Sequence, residues 1–177
     1  MRKLTMPELK RLNVIDYHSV KKLPVIVVLD NIRSMENVGA FFRTADAFRI
    51  EAIYLCGITA RPPHREIHKT ALGADESVDW QYFSTTTEAC EHLKRDGYRI
   101  FAVEQVEDSI MLDKFSAPRK SAYIFGNEVD GVDDAVLPYC EQAVEIPQQG
   151  TKHSLNVAVS GGILMYHLFE NLKKLLN

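Results

Sequence analysis

No stretch of the chain carries the roughly 20 consecutive apolar residues that a membrane-spanning helix needs. The longest apolar run, Pro24–Leu29, has the length of a buried strand. Met1–Asp16 is charged throughout and has no apolar centre, so no secretory signal is expected. Cysteine is sparse, and Cys56, Cys90 and Cys140 form no C-x-x-C pair. That spacing points to reduced, buried thiols in a cytoplasmic protein. Two glycine signatures are missing as well: G-x-G-x-x-G after the first strand and G-x-x-x-x-G-K-[ST] anywhere. Ordinary dinucleotide binding and P-loop hydrolysis therefore lose their main sequence support. His64 and His68 share the spacing of one helix face, but no cysteine or carboxylate completes a ligand set, and no metal site is expected. No internal repeat, low-complexity tract or linker divides the chain.

What is present reads as one α/β domain over residues 23–177, preceded by a short helical extension over residues 1–22. With 177 residues, 46% of them hydrophobic, the chain can bury one sizeable core. Leu23–Asp30 is a continuous run rich in β-branched residues, as in a strand covered on both faces. Glu51–Cys56, Val78–Phe83, Arg99–Val103, Ser121–Phe125 and Ala143–Ile146 read as further strands. Between them, Asn37–Phe48 repeats Val38, Phe41, Phe42, Ala45 and Phe48 at helical spacing, with Asn37 and Arg43 off that stripe. A short helix fits His64–Leu72, and Thr85-Thr86-Thr87-Glu88 opens another that Gly97 closes. The last helix is expected over Leu155–Leu175, with Val157, Val159, Ile163, Leu164, Leu168 and Leu172 as its apolar positions. Glu104–Lys120 reads as irregular. This alternation predicts a mostly parallel sheet flanked by helices. In the extension, a helix is expected over Met1–Val14. Thr5-Met6-Pro7-Glu8 has capping-box spacing, and Leu9, Leu12 and Val14 form an apolar edge for the domain or for a second subunit.

The net charge of −3 speaks mildly against a nucleic-acid partner, but its distribution is uneven. Residues 1–22 hold six basic and two acidic side chains, a net +4. Residues 61–69 hold Arg61, Arg65 and Lys69 against Glu66, a net +2, with His64 and His68 beside them. Each is either a solvated face or a rim that contacts phosphates.

Two late strands run into loops of glycine and small polar residues: Gly126-Asn127-Glu128-Val129-Asp130-Gly131 and Pro147-Gln148-Gln149-Gly150-Thr151-Lys152-His153. Ligands of open α/β sheets sit at the carboxyl ends of strands, although glycines alone fit a plain turn equally well. Three motifs occur in order: N-x-G-A-x-x-R-T-A at residues 37–45, F-G-N-E-x-x-G at 125–131, and I-P-Q-Q-G-x-x-x-S-L-N-V-x-V at 146–159. Together they resemble the motifs of the SpoU (TrmH-like) family, part of the SPOUT superfamily of RNA methyltransferases. The resemblance covers roughly residues 23 to 170.

The resemblance implies a SPOUT fold whose C-terminal loops tie a deep trefoil knot around S-adenosylmethionine; true knots are otherwise almost absent from proteins. It implies a homodimer that methylates a ribose 2′-hydroxyl of RNA. It makes Gly126, Ile146 and Leu155 cofactor contacts, with Val103 and Ser154 beside them; by position alone Ser154 is a helix cap. Arg43 becomes the catalytic residue, supported by Asn37, Glu128, Ser154 and Asn156. Composition alone makes Arg43 a solvated charge. The family's proposed role for it is a base, but a guanidinium keeps its proton. A fork gripping the adjacent phosphate and the developing alkoxide is the safer assignment. Small members without added RNA-binding domains resemble tRNA enzymes more than rRNA enzymes. Val132 and Asp133 stand where the family commonly has leucine and serine, and Gln148 where it often has methionine, which bears on substrate fit. The other reading is a catalytically silent RNA-binding module of the same fold. The intact set of Arg43, Asn37, Glu128, Ser154 and Asn156 favours the enzyme.

Overall fold

Asp30 and Phe125 mark where two buried apolar strands stop, and the rest of the architecture is built outward from that pair. The computed structural model describes residues 1–5 and 7–177. Its strands are β1 Leu23–Asp30, β2 Ile50–Cys56, β3 Asp79–Phe83, β4 Arg99–Val103, β5 Ile110–Met111, β6 Ser121–Phe125 and β7 Gln142–Glu145. They form one sheet in the order β3-β2-β1-β6-β4-β7-β5, with every neighbouring pair parallel. The helices are α1 Val14–Ser19, α2 Met35–Ala47, α3 Arg65–Ala71, α4 Thr86–Arg95 and α5 Val157–Leu172.

Alternation along the central strands sends side chains to two cores. Val25, Val27, Leu29, Tyr123 and Phe125 face one way and pack with residues of α2, α3 and α5. Ile26, Val28, Ala122 and Ile124 face the other way, toward Cys90 and Leu93 of α4 and Val132 and Val136 beyond β6. Each such fully buried aliphatic side chain contributes about 1.5–3 kcal/mol relative to exposure. Helices α2 and α5 meet where residue 161 is glycine; a Cβ there would lie 2.2 Å from Cε1 of Phe41. The register pairs Leu29 with Phe125, Ala102 with Ile124, and Val103 with Val144. The carboxyl ends of β1, β6, β4 and β7 are therefore level, and their loops emerge side by side.

The expected strands and central helices are present with shifts of a residue or two. Three expectations change. The extension is not one helix: a single 3-10 turn spans Pro7–Leu9, and α1 starts only at Val14. Glu8 does accept the Thr5 N–H at 2.8 Å, as a capping box requires, but Lys10 follows at φ 47° and stops propagation. Met6 of that box lies outside the described residues. Asn13 then caps a new helix by accepting from Asp16 N–H at 2.8 Å. Leu9, Leu12 and Val14 are exposed, and Tyr17 is the residue that packs. Second, the irregular stretch 104–120 holds β5, which pairs with β7 and is pinned where Ser109 donates to Glu145 at 2.6 Å. Third, Val159 and Ile163 do not pack inward; they are exposed on α5, while Leu164, Leu168 and Leu172 are buried.

All three thiols are free, with Cys56 and Cys90 buried. Burial pushes both up to about 12, so they stay protonated at neutral pH. Among the described residues no helix is long and apolar enough to cross a membrane.

Candidate active site

The loops at the ends of β4, β6 and β7, together with the residues before α5, enclose a cleft of about 660 Å³. That is within the usual range for a small-molecule site. Val103, Gly126, Ile146, Ser154 and Leu155 all line it, so the five positions expected to meet a cofactor come together. Gly126 follows β6 where the chain folds back on itself. A Cβ there would lie 1.9 Å from the carbonyl carbon of Gly131, which itself has φ 73°. Gly131 N–H donates to Asn127 O at 3.1 Å, and Asn127 Oδ1 accepts from Val129 and Asp130 N–H, both at 2.9 Å. Only a chain without side chains at both crossing points can close this tightly.

Two carboxylates that sequence reasoning did not single out hold the loop in place. Glu104, directly after β4, accepts from Val132 N–H at 3.2 Å. Asp30, 1% exposed at the end of β1, accepts from Asp133 N–H at 3.0 Å and from the Thr86 hydroxyl. The residue at 133, a departure from the family pattern, thus uses its backbone rather than its side chain for this tie. Gln105 adds a third link, donating to His153 O at 2.8 Å and tying the end of β4 to the loop before α5. An acidic residue at the end of an apolar strand, or directly after it, was the available signal for Asp30 and Glu104.

Asn37, Glu128 and Asn156 form one hydrogen-bonded chain. Asn156 Oδ1 caps α5, accepting from Ala158 N–H at 2.9 Å and Val159 N–H at 3.2 Å. Its amide nitrogen must then donate, and does so to Asn37 Oδ1 at 3.1 Å. Asn37 Nδ2 in turn donates to Glu128 Oε1 at 2.7 Å. Asn37 is itself set by the N-cap of α2, where Ser34 Oγ accepts its N–H at 3.2 Å. The orientation of both amides is thus fixed from the helix terminus outward. Asn156, not Ser154, takes the cap expected at the start of the last helix. Ser154 is left exposed on the wall of the cleft.

Arg43 is not in this cleft. It is exposed on α2 and lines a separate shallow groove with Asn13, Val14, Tyr17 and Asp46. Within one chain the structure therefore assembles four of the five expected catalytic positions and leaves the arginine apart. The histidines have local partners: His64 Nδ1 caps α3 by accepting from Glu66 N–H at 3.2 Å, and His68 Nδ1 lies 3.1 Å from Asp75.

The electrostatics of the cleft narrow its ligand. Glu104, Glu128, Asp130, Asp134 and Glu145 line it, and no lysine, arginine or histidine does so among the described residues. Such a wall suits a cationic group and opposes a phosphate.

A parallel α/β sheet with its cleft built from late glycine loops defines a class outside the Rossmann and P-loop types. The chain belongs to the SpoU rRNA Methylase family, which it matches over residues 24–166. It is 30% identical over 142 residues to a 23S rRNA (guanosine-2′-O-)-methyltransferase of Neisseria meningitidis, an alignment covering 80% of this chain and 56% of that protein. The chain thus spans little more than half the length of that relative. Among solved structures it superposes on the A. aeolicus TrmH/SpoU tRNA modifying enzyme with a TM-score of 0.81 at 21% identity, covering 91% of this chain and 81% of that one. An AdoMet-bound rRNA methyltransferase from Sinorhizobium meliloti gives a TM-score of 0.78 at 23% identity, covering 86% and 61% respectively.

Proposed function

We propose that this protein transfers the methyl group of S-adenosylmethionine to a ribose 2′-hydroxyl of RNA. We take tRNA as the substrate class ahead of rRNA and place the enzyme, as a homodimer, in the cytoplasm. The observation that carries this reading is the fixed chain from Asn156 through Asn37 to Glu128 at the mouth of an acidic, glycine-walled cleft. A silent RNA-binding module has no need to hold two amides and a carboxylate in one orientation, so the enzyme is the better supported class.

The cleft fits the cofactor. Gly126 and the backbone beside Ile146 and Leu155 offer donors and acceptors for an adenine, and Glu104, Glu128 and Asp130 suit a sulfonium and an ammonium. When bound, S-adenosylmethionine supplies an electrophilic methyl group at that position. In our reading the deep trefoil knot is the crossing of the 126–132 loop with the segment that leads into α5.

The chain's own residues have the remaining tasks. Glu128 keeps one carboxylate oxygen on Asn37 and has a second with which to accept a hydrogen bond. Of the five catalytic positions it is the one able to take the hydroxyl proton. Arg43 stays protonated and acts as a planar clamp on the phosphate and on the developing alkoxide. Because it lines a groove separate from its own cleft, we assign it to the cleft of a second copy. Val159, Ile163 and Tyr166, exposed on α5, supply apolar surface for that pairing. A C2 pairing is also the commonest arrangement of soluble oligomers.

The test combines purified protein, radiolabelled S-adenosylmethionine and RNA from cells lacking the protein. We expect label at ribose 2′-oxygens of tRNA and a mass in solution of two chains. Tight RNA binding without any label would replace the enzyme with the binding module.

A further inference from the structure

Away from the cleft, the fold gathers positive charge at the far end of α2. Arg11, Arg49, Lys173 and Lys174 surround a groove of about 560 Å³ floored by Ala47 and Phe169. No aspartate or glutamate lines it among the described residues. Glu170 pairs with Lys173 at 2.7 Å. Arg11, Arg49 and Lys174 form no ion pair with any described residue. Three like charges around one concavity, none of them in an ion pair among the described residues, repel each other.

Helix α2 joins this groove to the active site. Asn37 lies in its first turn at the hydrogen-bonded chain, Arg43 is exposed midway, and Ala47 ends it in the basic groove. At 1.5 Å per residue, Arg43 to Ala47 spans ~6 Å. That is the length of ~2 nucleotides at roughly 3.4 Å per step of one strand. The segment 11–17 walls the route on its other side, with Arg11 in the basic groove and Asn13 and Tyr17 in the groove of Arg43. It is held against the body where Tyr17 donates to Asp46 O at 3.3 Å and Lys22 lies over the Tyr17 ring at 4.2 Å. Among the described residues Asp46 is the one carboxylate lining Arg43's groove.

We infer that the groove of Arg11, Arg49, Lys173 and Lys174 binds the phosphodiester backbone of the RNA a few nucleotides from its target ribose, so that the strand runs along α2 to Arg43. This rests on the RNA methyltransferase reading and adds a phosphate track distinct from the cofactor cleft. Its electrostatics are complementary to a polyanion, and its open shape, without a built pocket of directed polar groups, fits a backbone rather than a base.

The test measures binding of unfractionated tRNA across a potassium chloride series for the wild type and for the combined variant Arg11→Gln, Arg49→Gln and Lys174→Gln. Each lost phosphate contact lowers the log–log salt slope by about 0.7–0.9, so the variant should lose about 2 to 3 units of slope. Its RNA affinity at low salt should fall on the order of 10²-fold. KM for RNA should rise with kcat retained at saturation, and S-adenosylmethionine affinity should match the wild type. Arg49→Lys keeps the charge and should keep the slope. A folded triple variant with wild-type slope and affinity overturns the groove and leaves the methyltransferase reading standing. A wild type that binds neither cofactor nor tRNA overturns both. If the triple variant does not fold, Lys174→Gln alone should lower the slope by about 1 unit, and an unchanged slope overturns the groove.

Discussion

The cleft at the strand ends and the groove at the far end of α2 differ first in charge. Five acidic side chains and no described cation line the cleft, whereas four cations and no described aspartate or glutamate line the groove. They differ also in construction. The cleft is made of backbone held in tight turns by Glu104, Asp30 and Asn156, and each of these acceptors is fixed by main-chain N–H groups. The groove is made of long side chains from the stretch before α1, the turn after α2 and the turn after α5. A preorganised acidic pocket suits one small cationic ligand in one pose. A pliable basic surface suits a long anion in many registers. A net charge of −3 averages these two regions and conceals both.

The sharpest way to break this division is at Arg43, which lies between the two regions. Arg43→Ala should leave S-adenosylmethionine binding intact, because its assigned contacts are the RNA phosphate and the developing alkoxide rather than the cofactor, and should lower methyl transfer by about 10²–10³-fold, the typical loss for one oxyanion-type contact. Arg43→Lys should not restore the rate, since an ammonium lacks the planar fork. Wild-type turnover in Arg43→Ala would remove the arginine from catalysis. The converse variant is Gly126→Val. Its added carbons collide with the Gly131 carbonyl, so cofactor affinity should fall by about 10- to 100-fold, matching the 1–3 kcal/mol typical of overpacking. Its tRNA affinity in the absence of cofactor should be unchanged. Calorimetry for the small ligand and a filter assay for tRNA separate the two effects.

A smaller loss is expected at Asn37. Asn37→Ala leaves the Asn156 amide and the Glu128 carboxylate without their shared partner. A hydrogen bond to a charged group contributes about 1.5–3 kcal/mol. With water partly replacing the missing amide, kcat should drop about 10-fold. Asn37→Asp should be worse than alanine, because it sets a second carboxylate against Glu128. Wild-type activity in both variants would show that the chain of amides positions nothing.

These regions were not equally legible in the sequence. The strands and central helices announce themselves locally: β1 by its β-branched run, α2 by apolar residues at helical spacing, α4 by Thr85, which accepts from Glu88 N–H at 3.2 Å. The positions that line the cleft were legible only through the resemblance of three ordered motifs to the SpoU family; close backbone packing at Gly126 and Gly131 is the physical reason those two motif positions are glycine. What local pattern could not show is anything set by long-range pairing. The insertion of β6 between β1 and β4 decides which strand ends meet, and no local signal encodes it. At the start of α5, Ser154 and Asn156 compete as caps, and only the tie from Asn156 to Asn37, 119 positions away, favours the asparagine. Val159 and Ile163 fit an inward stripe by hydropathy, yet they face outward. The basic groove draws its four cations from residues 11, 49, 173 and 174, so no window of the sequence contains it.

The smallest effect sharpens the comparison most. The sequence draws attention to a different basic stretch, 61–69, and the structure shows why it should contribute little. Arg61 lies 4.2 Å over the ring of Tyr82, and Lys69 sits 4.0 Å from Glu66. His64 and His68 are engaged with Glu66 N–H and Asp75. Only Arg65, exposed at the first turn of α3, forms no ion pair or ring contact among the described residues. Arg65→Gln should therefore lower the salt slope of tRNA binding by at most about 1 unit and weaken affinity by roughly 2- to 5-fold. Cofactor affinity and kcat should not move. If Arg65→Gln instead costs as much as the three-residue change in the groove, the RNA crosses α3, the charges of the 61–69 segment outweigh those at the end of α2, and the path along α2 is wrong.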